Sequence, residues 1–324
     1  MQIHRDADID PAPLAGKRVA VIGYGNQGRA QALNLLDGGV DVCVGLREGS
    51  ARASQATQAG LRVLPVAQAA AQADIVVLLA PDETLPGIYA AVAPVLRPGA
   101  ALGFAHGLAI HFRLIEPAPH LDVFMVAPKG PGSALRADFV AGGGMAGLFA
   151  VAQDATGGAR GLALAYGRAI GCGRVGLIET DFAQETEADL FNEAAVLWGA
   201  VPELMLAGYD VLVEAGFAPE LAWLECVGEL RLLADLVAAR GIAGMREAIS
   251  TTAEFAALTG SGRIVTADTR AAMRALLAEV RSGTMTQAMM ADARTGSPRL
   301  ATARHEQAEH PSEAVGARLR PLLK

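Results

Sequence analysis

The patterning of this chain changes once, near residue 180, and that change limits what it can fold into. Before it, short apolar runs alternate with helical stretches. "RVAVIG" (18–23), "VDVCVG" (40–45), "LRVLPV" (61–66), "DIVVLLAP" (74–81), "ALGFAHG" (101–107) and "DVFMVAPKGPG" (122–132) read as strands, with further candidates at "GLFAVAQD" (147–154) and "GRVGLIET" (173–180). Apolar strands separated by helices imply a mostly parallel sheet covered on both faces. After Thr180 the strand signals nearly vanish. Helical patterns fill 183–207, 209–216, 219–240, 242–257, 267–281 and 284–294, with breaks expected at Gly216, Pro219, Gly241 and "TGSGR" (259–263). A chain of 324 residues has room for two domains. The boundary is placed between 181 and 182, with an α/β domain before it and an all-α domain over 182–324.

"VAVIGYGNQGRAQAL" sets Gly23, Gly25 and Gly28 in GxGxxG spacing, directly after a buried strand and at the start of a helix. That context separates a dinucleotide loop from an ordinary glycine-rich turn. Gly23 allows the tight turn, Gly25 lets a pyrophosphate approach the backbone, and Gly28 allows close helix–strand packing. The first domain therefore reads as a Rossmann-like, doubly wound sheet. The next strand runs into "GLREGSAR", with Arg47 where an NAD site carries an acid, and Ser50 and Arg52 close behind. A guanidinium and a hydroxyl suit a 2′-phosphate, so NADP(H) is the expected cofactor, with the neighbouring Glu48 weighing against it. A solvated Arg52 remains the plain alternative.

"TEADLFNEAAVLWG" places Asp189 and Glu193 one helical turn apart; "WLECVGELRLL" repeats the spacing with Glu225 and Glu229. Both pairs are set among apolar residues. Carboxylates crowded on apolar helices repel one another unless a cation lies between them, and oxygen-only ligation selects a hard ion such as Mg²⁺. Two pairs could hold two ions. The alternative is pairing with Arg or Lys, for which Arg231 is at hand, or simple exposure to solvent. Spacing does not say whether both pairs serve one subunit's site.

His106, in "FAHG" after a strand, is a candidate for proton transfer. Lys129, in the rigid "APKGPG" loop, could neutralise a carboxylate or polarise a carbonyl. Ser250 could bond a substrate carboxylate. Loop histidines, solvated lysines and isolated serines are the plain readings of the same residues. A net charge of −7 with no basic run argues against nucleic acid or an acidic membrane as partner. Cys43, Cys172 and Cys226 form no CxxC pair, which suits a reducing cytoplasm. "MQIHRDADID" does not read as a signal peptide, and "IVVLLA" is too short to span a bilayer.

Taken in order, "VIGYGNQGRAQALNL", "GLREGS", "FAHGLAIHF", "DVFMVAPKGPG", "QDATG", "IETDFAQETEADLFNEAAVLWG", "LVEAGFAPELAWLEC", "GIAGMREAIS" and "EHPSEAVGARLR" resemble the short, class I ketol-acid reductoisomerases from about residue 15 to the C-terminus. The resemblance implies two steps at one site. A metal-dependent alkyl migration in 2-acetolactate or 2-aceto-2-hydroxybutyrate is followed by NADPH reduction to a 2,3-dihydroxy acid of valine or isoleucine synthesis. It implies that Asp189 bridges two Mg²⁺ ions and Glu193 binds one. Glu225 and Glu229 would come from a partner subunit, and Ser250 would hold the substrate carboxylate. His106 and Lys129 would lie in the catalytic network, and Tyr24, Asn26, Gln27 and Gly132 join the cofactor set. It also implies a knotted helical domain that forms a homodimer or larger homo-oligomer.

The chain departs from the family pattern at Arg29 (for His), Leu108-Ala109 (for Phe-Asn), Gly228 (for His), Thr251 (for Asn), and Trp198 and Ala200 in "WGA" (for Cys-Gly-Gly). Trp198 could reshape the space for the migrating group. A divergent paralogue acting on a related 2-acyl-2-hydroxy acid is therefore one rival. The others are a metal-independent NADP-dependent hydroxy-acid dehydrogenase and a catalytically silent dinucleotide sensor.

Overall fold

The computed structural model of the chain describes residues 1–323. Backbone contacts divide it into two compact units, Met1–Thr186 and Glu187 onward. The first is built on nine strands: β1 (Ile3–His4), β2 (Arg18–Ile22), β3 (Asp41–Leu46), β4 (Arg62–Pro65), β5 (Ile75–Leu78), β6 (Ala101–Phe104), β7 (Asp122–Pro128), β8 (Gly147–Gln153) and β9 (Leu177–Glu179). Their order is β1-β9-β8-β7-β6-β5-β2-β3-β4. From β4 to β7 every pairing is parallel; β8 runs antiparallel to β7, β9 parallel to β8, and β1 antiparallel to β9.

Alternation along these strands explains the two-sided core. Val19, Val21, Val42, Val44, Ile75 and Val77 join one apolar cluster, and Ala20, Ile22, Cys43, Val76 and Leu78 join the other. Each fully buried Val or Ile contributes about 1.5–3 kcal/mol, so both faces are strongly fixed. The chain reverses direction across the sheet between β2 and β5, and open α/β sheets place their ligands outside the carboxyl ends of strands at such a reversal. The three cysteines are free. Burial pushes the Cys172 thiol up to about 12, so it stays protonated and packs as an apolar group.

The second unit is helical, and no strand follows Glu179 among the described residues. Its core is small: Tyr209, Ala222, Trp223 and Val315, with Leu212, Val213, Val227 and Leu319 packed against them. The helices Leu230–Glu247 and Thr251–Ile264 contain no buried residue, yet they carry Leu232, Leu233, Ile242, Phe255, Leu258 and Ile264 in exposed positions. Helices of this length are marginal in water without an apolar face to bury. The run Phe182–Glu214 is long and apolar enough to cross a membrane by length and composition, and 6% of its most apolar window is buried.

Several expected boundaries move. "TGSGR" lies inside the helix Thr251–Ile264 rather than breaking it. Gly241 does mark a kink, with φ +70° inside Leu230–Glu247. The helix expected over 183–207 is Phe182–Asn192, then a π-turn over Glu193–Leu197, then Ala200–Glu214. That over 219–240 is likewise interrupted by a π-turn over Leu224–Gly228. The β1 pairing with β9, through Ile3 and His4, carries too few residues to show a period.

Candidate active site

The loop between β2 and the helix Asn26–Asp37 shows why each glycine is needed. Gly23 has φ +103°, and a Cβ there would lie 2.7 Å from the Leu79 carbonyl oxygen. At Gly28 a Cβ would meet the Gly23 carbonyl at 2.4 Å, whereas at Gly25 nothing lies within 4 Å. Two glycines thus let backbone pack on backbone, and the third leaves open space at the helix N-terminus, where an anion is favoured. Asn26 Oδ1 accepts from the Ser133 N–H at 2.8 Å, and Gln27 Nε2 donates to the Gly130 carbonyl at 2.9 Å. Gly132 faces Asn26 so closely that a Cβ would lie 2.2 Å from its carbonyl oxygen. The glycine loop and the loop carrying Lys129 are therefore one joined structure. Lys129 is exposed, and its N–H donates to the Ala146 carbonyl at 2.9 Å.

At the end of β3, Arg47 through Ser50 form a turn closed by the Ser50 N–H on the Arg47 carbonyl at 3.2 Å. Arg52 Nη1 donates to the Tyr24 carbonyl at 3.0 Å. The guanidinium is thereby tied to the glycine loop, although Arg52 stays exposed. Arg47 and Glu48 are both exposed. A cavity of about 530 Å³, lined by residues including Lys17, Val40, Phe139 and Arg168, lies by the residues that lead into β2 and β3, at the amino ends of the strands and away from these loops.

His106 follows β6. Its Nδ1 lies 3.0–3.1 Å from the Glu185 carboxylate, and the Gly107 N–H donates to Glu185 Oε2 at 2.9 Å. Gly107 must be bare here, because a Cβ would lie 2.4 Å from Thr186 Oγ1. An Nδ1–H donated to the carboxylate makes Nε2 the basic nitrogen of the imidazole. Glu185 was missed in the sequence. The signal was present, because it stands four residues before Asp189 and extends the 189/193 spacing backward along one helix. Asp82, just beyond β5, also escaped notice. Burial raises its carboxyl above the ordinary range, His106 opposes the rise, and Glu83 and Glu185 add to it.

Glu185, Asp189 and Glu193 thus succeed one another at four-residue intervals, at the end of the N-terminal unit and the start of the helical one. Glu187, on another side of the helix, pairs with Arg281 at 2.8 Å. Glu225 and Glu229 are exposed, and Arg231 is engaged with Asp235 at 3.7 Å rather than with Glu229. Among the described residues, no group of three or more potential ligands includes Glu193, Glu225 or Glu229, so one chain does not gather the two pairs. Ser250 caps the helix Thr251–Ile264, its Oγ accepting from the Ala253 N–H at 3.2 Å, and its hydroxyl proton can still be donated. The acids offer hard oxygen donors only, which is the ligand chemistry a dication such as Mg²⁺ takes.

Residues 13–176 match the family profile "Acetohydroxy acid isomeroreductase, NADPH-binding domain", and residues 182–324 match "Ketol-acid reductoisomerase, C-terminal domain". The chain belongs to the ketol-acid reductoisomerase family. A solved NADH-preferring ketol-acid reductoisomerase from an uncultured archaeon is 41% identical, with a TM-score of 0.96 over 99% of both chains. Weaker likenesses show the fold alone. A semialdehyde dehydrogenase NAD-binding protein from Cupriavidus necator has TM-score 0.64 and 20% identity over 82% of this chain and 99% of that one. A pyrroline-5-carboxylate reductase from Coxiella burnetii has TM-score 0.57 and 18% identity over 82% and 98%. As a ketol-acid reductoisomerase, the chain is an NAD(P)-dependent oxidoreductase and isomerase with a Rossmann-like nucleotide unit and a helical C-terminal unit.

Proposed function

We propose that the chain is a divalent-metal-dependent reductoisomerase. It would shift an alkyl group in 2-acetolactate or 2-aceto-2-hydroxybutyrate and reduce the resulting 3-hydroxy-2-keto acid with NADPH. Bound Mg²⁺ would supply Lewis acidity at the ketone and the neighbouring hydroxyl, and the nicotinamide would supply hydride. Asp189 and Glu193 hold the ions from one chain, and Glu225 and Glu229 of a second copy complete the set. His106, oriented by Glu185, exchanges a proton at Nε2. Lys129 offsets substrate charge, and the Ser250 hydroxyl donates to the substrate carboxylate.

The observation that carries this reading is the acidic series Glu185, Asp189 and Glu193 on one helical path, with a second pair that a single chain does not bring to it. The unburied helices Leu230–Glu247 and Thr251–Ile264 support a homodimer or larger homo-oligomer. A second copy, rather than lipid, covers the apolar run Phe182–Glu214, because Glu187, Asp189, Glu193 and Glu203 punctuate it. Arg47, Ser50 and the anchored Arg52 support a 2′-phosphate. The 41%-identical neighbour prefers NADH, so both nucleotides belong in the test.

That test is substrate-dependent oxidation of NADPH and of NADH, with each acid, before and after chelation. Turnover that needs both Mg²⁺ and a 2-acyl-2-hydroxy acid supports the proposal. Oxidation of reduced nucleotide that survives chelation would instead identify a metal-independent dehydrogenase.

A further inference from the structure

The two π-turns of the helical unit stand in matching places. In the first, the Glu193 carbonyl accepts the Trp198 N–H at 3.2 Å and the Gly199 N–H at 2.9 Å. It lies between Asp189 and Glu193 on one side and the helix Ala200–Glu214 on the other, which is anchored in the core by Tyr209, 2% exposed. In the second, the core anchors Ala222 and Trp223 come first, the π-turn Leu224–Gly228 follows, and it contains Glu225 and ends next to Glu229. Each π-turn uses one residue more than an α-turn. It therefore rotates what lies beyond it by one residue's angular step, about 100°. In the first place the rotation comes between the Tyr209 anchor and the acidic pair; in the second it falls within the pair, after Glu225 and before Glu229. A continuous α-helix from the same anchor would aim the first pair about a quarter-turn away.

The first turn can close only over a bare residue. A Cβ on Gly199 would lie 1.9 Å from the Ala194 carbonyl oxygen and 2.9 Å from its carbon, both backbone atoms that cannot swing aside. The second turn makes no such demand. A Cβ on Gly228 would meet only side chains, at 3.4 Å from Leu323 and Trp223 and 3.7 Å from Leu224.

We infer that Gly199 is a positioning residue for the metal-binding carboxylates: by permitting the π-turn, it fixes the direction in which Asp189 and Glu193 point. The inference rests on the proposed metal site. Gly199 touches neither ion nor substrate and acts only through the helix.

The experiment compares the intact oligomer with its Gly199→Ala and Gly228→Ala variants. Mn²⁺ binding is followed by electron paramagnetic resonance, and NADPH binding, oligomeric state and melting temperature are measured in parallel. Gly199→Ala is expected to weaken Mn²⁺ binding at least about tenfold, the lower end of the cost of losing ligand support. NADPH affinity should stay within twofold, and Gly228→Ala should keep wild-type Mn²⁺ affinity. A further variant, deletion of Val196, removes the extra residue of the π-turn while keeping Gly199, and is expected to lose Mn²⁺ binding while remaining folded.

Wild-type Mn²⁺ affinity in Gly199→Ala, or in a folded Val196 deletion, overturns the inference. So does an equal loss in both glycine variants. A fall in Mn²⁺ and NADPH affinity together would reveal a general structural role and also overturn it. If the wild type itself binds no Mn²⁺, the metal site fails and this inference fails with it.

Discussion

The strands of the N-terminal unit and the helices at 230–264 present opposite cases of the same chemistry. Val19, Ala20, Val21 and Ile22 are all 1% exposed or less, so β2 has its interior on both faces. Phe255, on the helix Thr251–Ile264, is 72% exposed. The first unit meets its apolar demand with its own sheet and helices, and its glycine loop is complete in one chain. The second leaves apolar helices uncovered and its two acidic pairs apart. On the proposed function, the first unit would bind nucleotide with its own residues, whereas the second would tie catalysis to assembly.

The sharpest way to break this contrast is Glu229→Gln. It should lower isomerisation by about 10²–10³-fold, as loss of one electrostatic stabiliser does, with NADPH binding unchanged in a fluorescence titration. Normal turnover of acetolactate by that variant would remove Glu229 from the metal site. Glu185→Gln tests the boundary between the units. It keeps the shape beside His106 and Gly107 but removes the charge, and a fall in kcat of about a hundredfold is expected, within the range of general acid–base contributions.

Phe255→Asp addresses the uncovered helices. Sedimentation should show the oligomer dissociating at concentrations where the wild type stays assembled, by roughly 2–3 kcal/mol of lost apolar burial, while NADPH binding persists. Unchanged assembly would mean that this face is not the interface. The smallest effect belongs to the self-contained unit. Arg160 donates to Glu179 at 2.7 Å and lies over the Phe149 ring at 5.6 Å. Its hydrogen bonds hold the Glu179 carboxyl below its ordinary 4.5, against the pull of burial. A lowered acid stabilises the fold above its unfolded value and loses that contribution as pH falls through the folded one. Arg160→Ala should therefore cost about 1 kcal/mol or less at neutral pH, and less as pH falls below 4.5 through the lowered carboxyl value, by chemical denaturation.

Much of the N-terminal unit was legible in the sequence because its signals are local. Val19–Ile22 and Val123–Ala127 read as strands through unbroken apolar runs, and the glycine spacing carried its own backbone requirements. The helical unit was legible as helical but not in its detail. A one-residue insertion at Glu193–Leu197 leaves the apolar period nearly intact, so the π-turns could not be seen. "TGSGR" suggested a break, yet Gly260 and Gly262 continue a helix that has no interior to disrupt. At the site, Asp189 and Glu193 stood out as a pair, and attention to the pair hid the third member, Glu185. Its partnership with His106 joins residues 79 positions apart, a separation that no local pattern encodes.

The bare helices at 230–264 also bear on how the cell would treat this chain. A newly made copy that has not met its twin displays Phe255, Leu258 and Ile264 to chaperones and proteases, which select for that kind of surface. In the proposed oligomer, pairing would hide those side chains. The surplus of unmatched copies would then be the fraction most open to degradation, so that one event would police both protein level and catalytic competence.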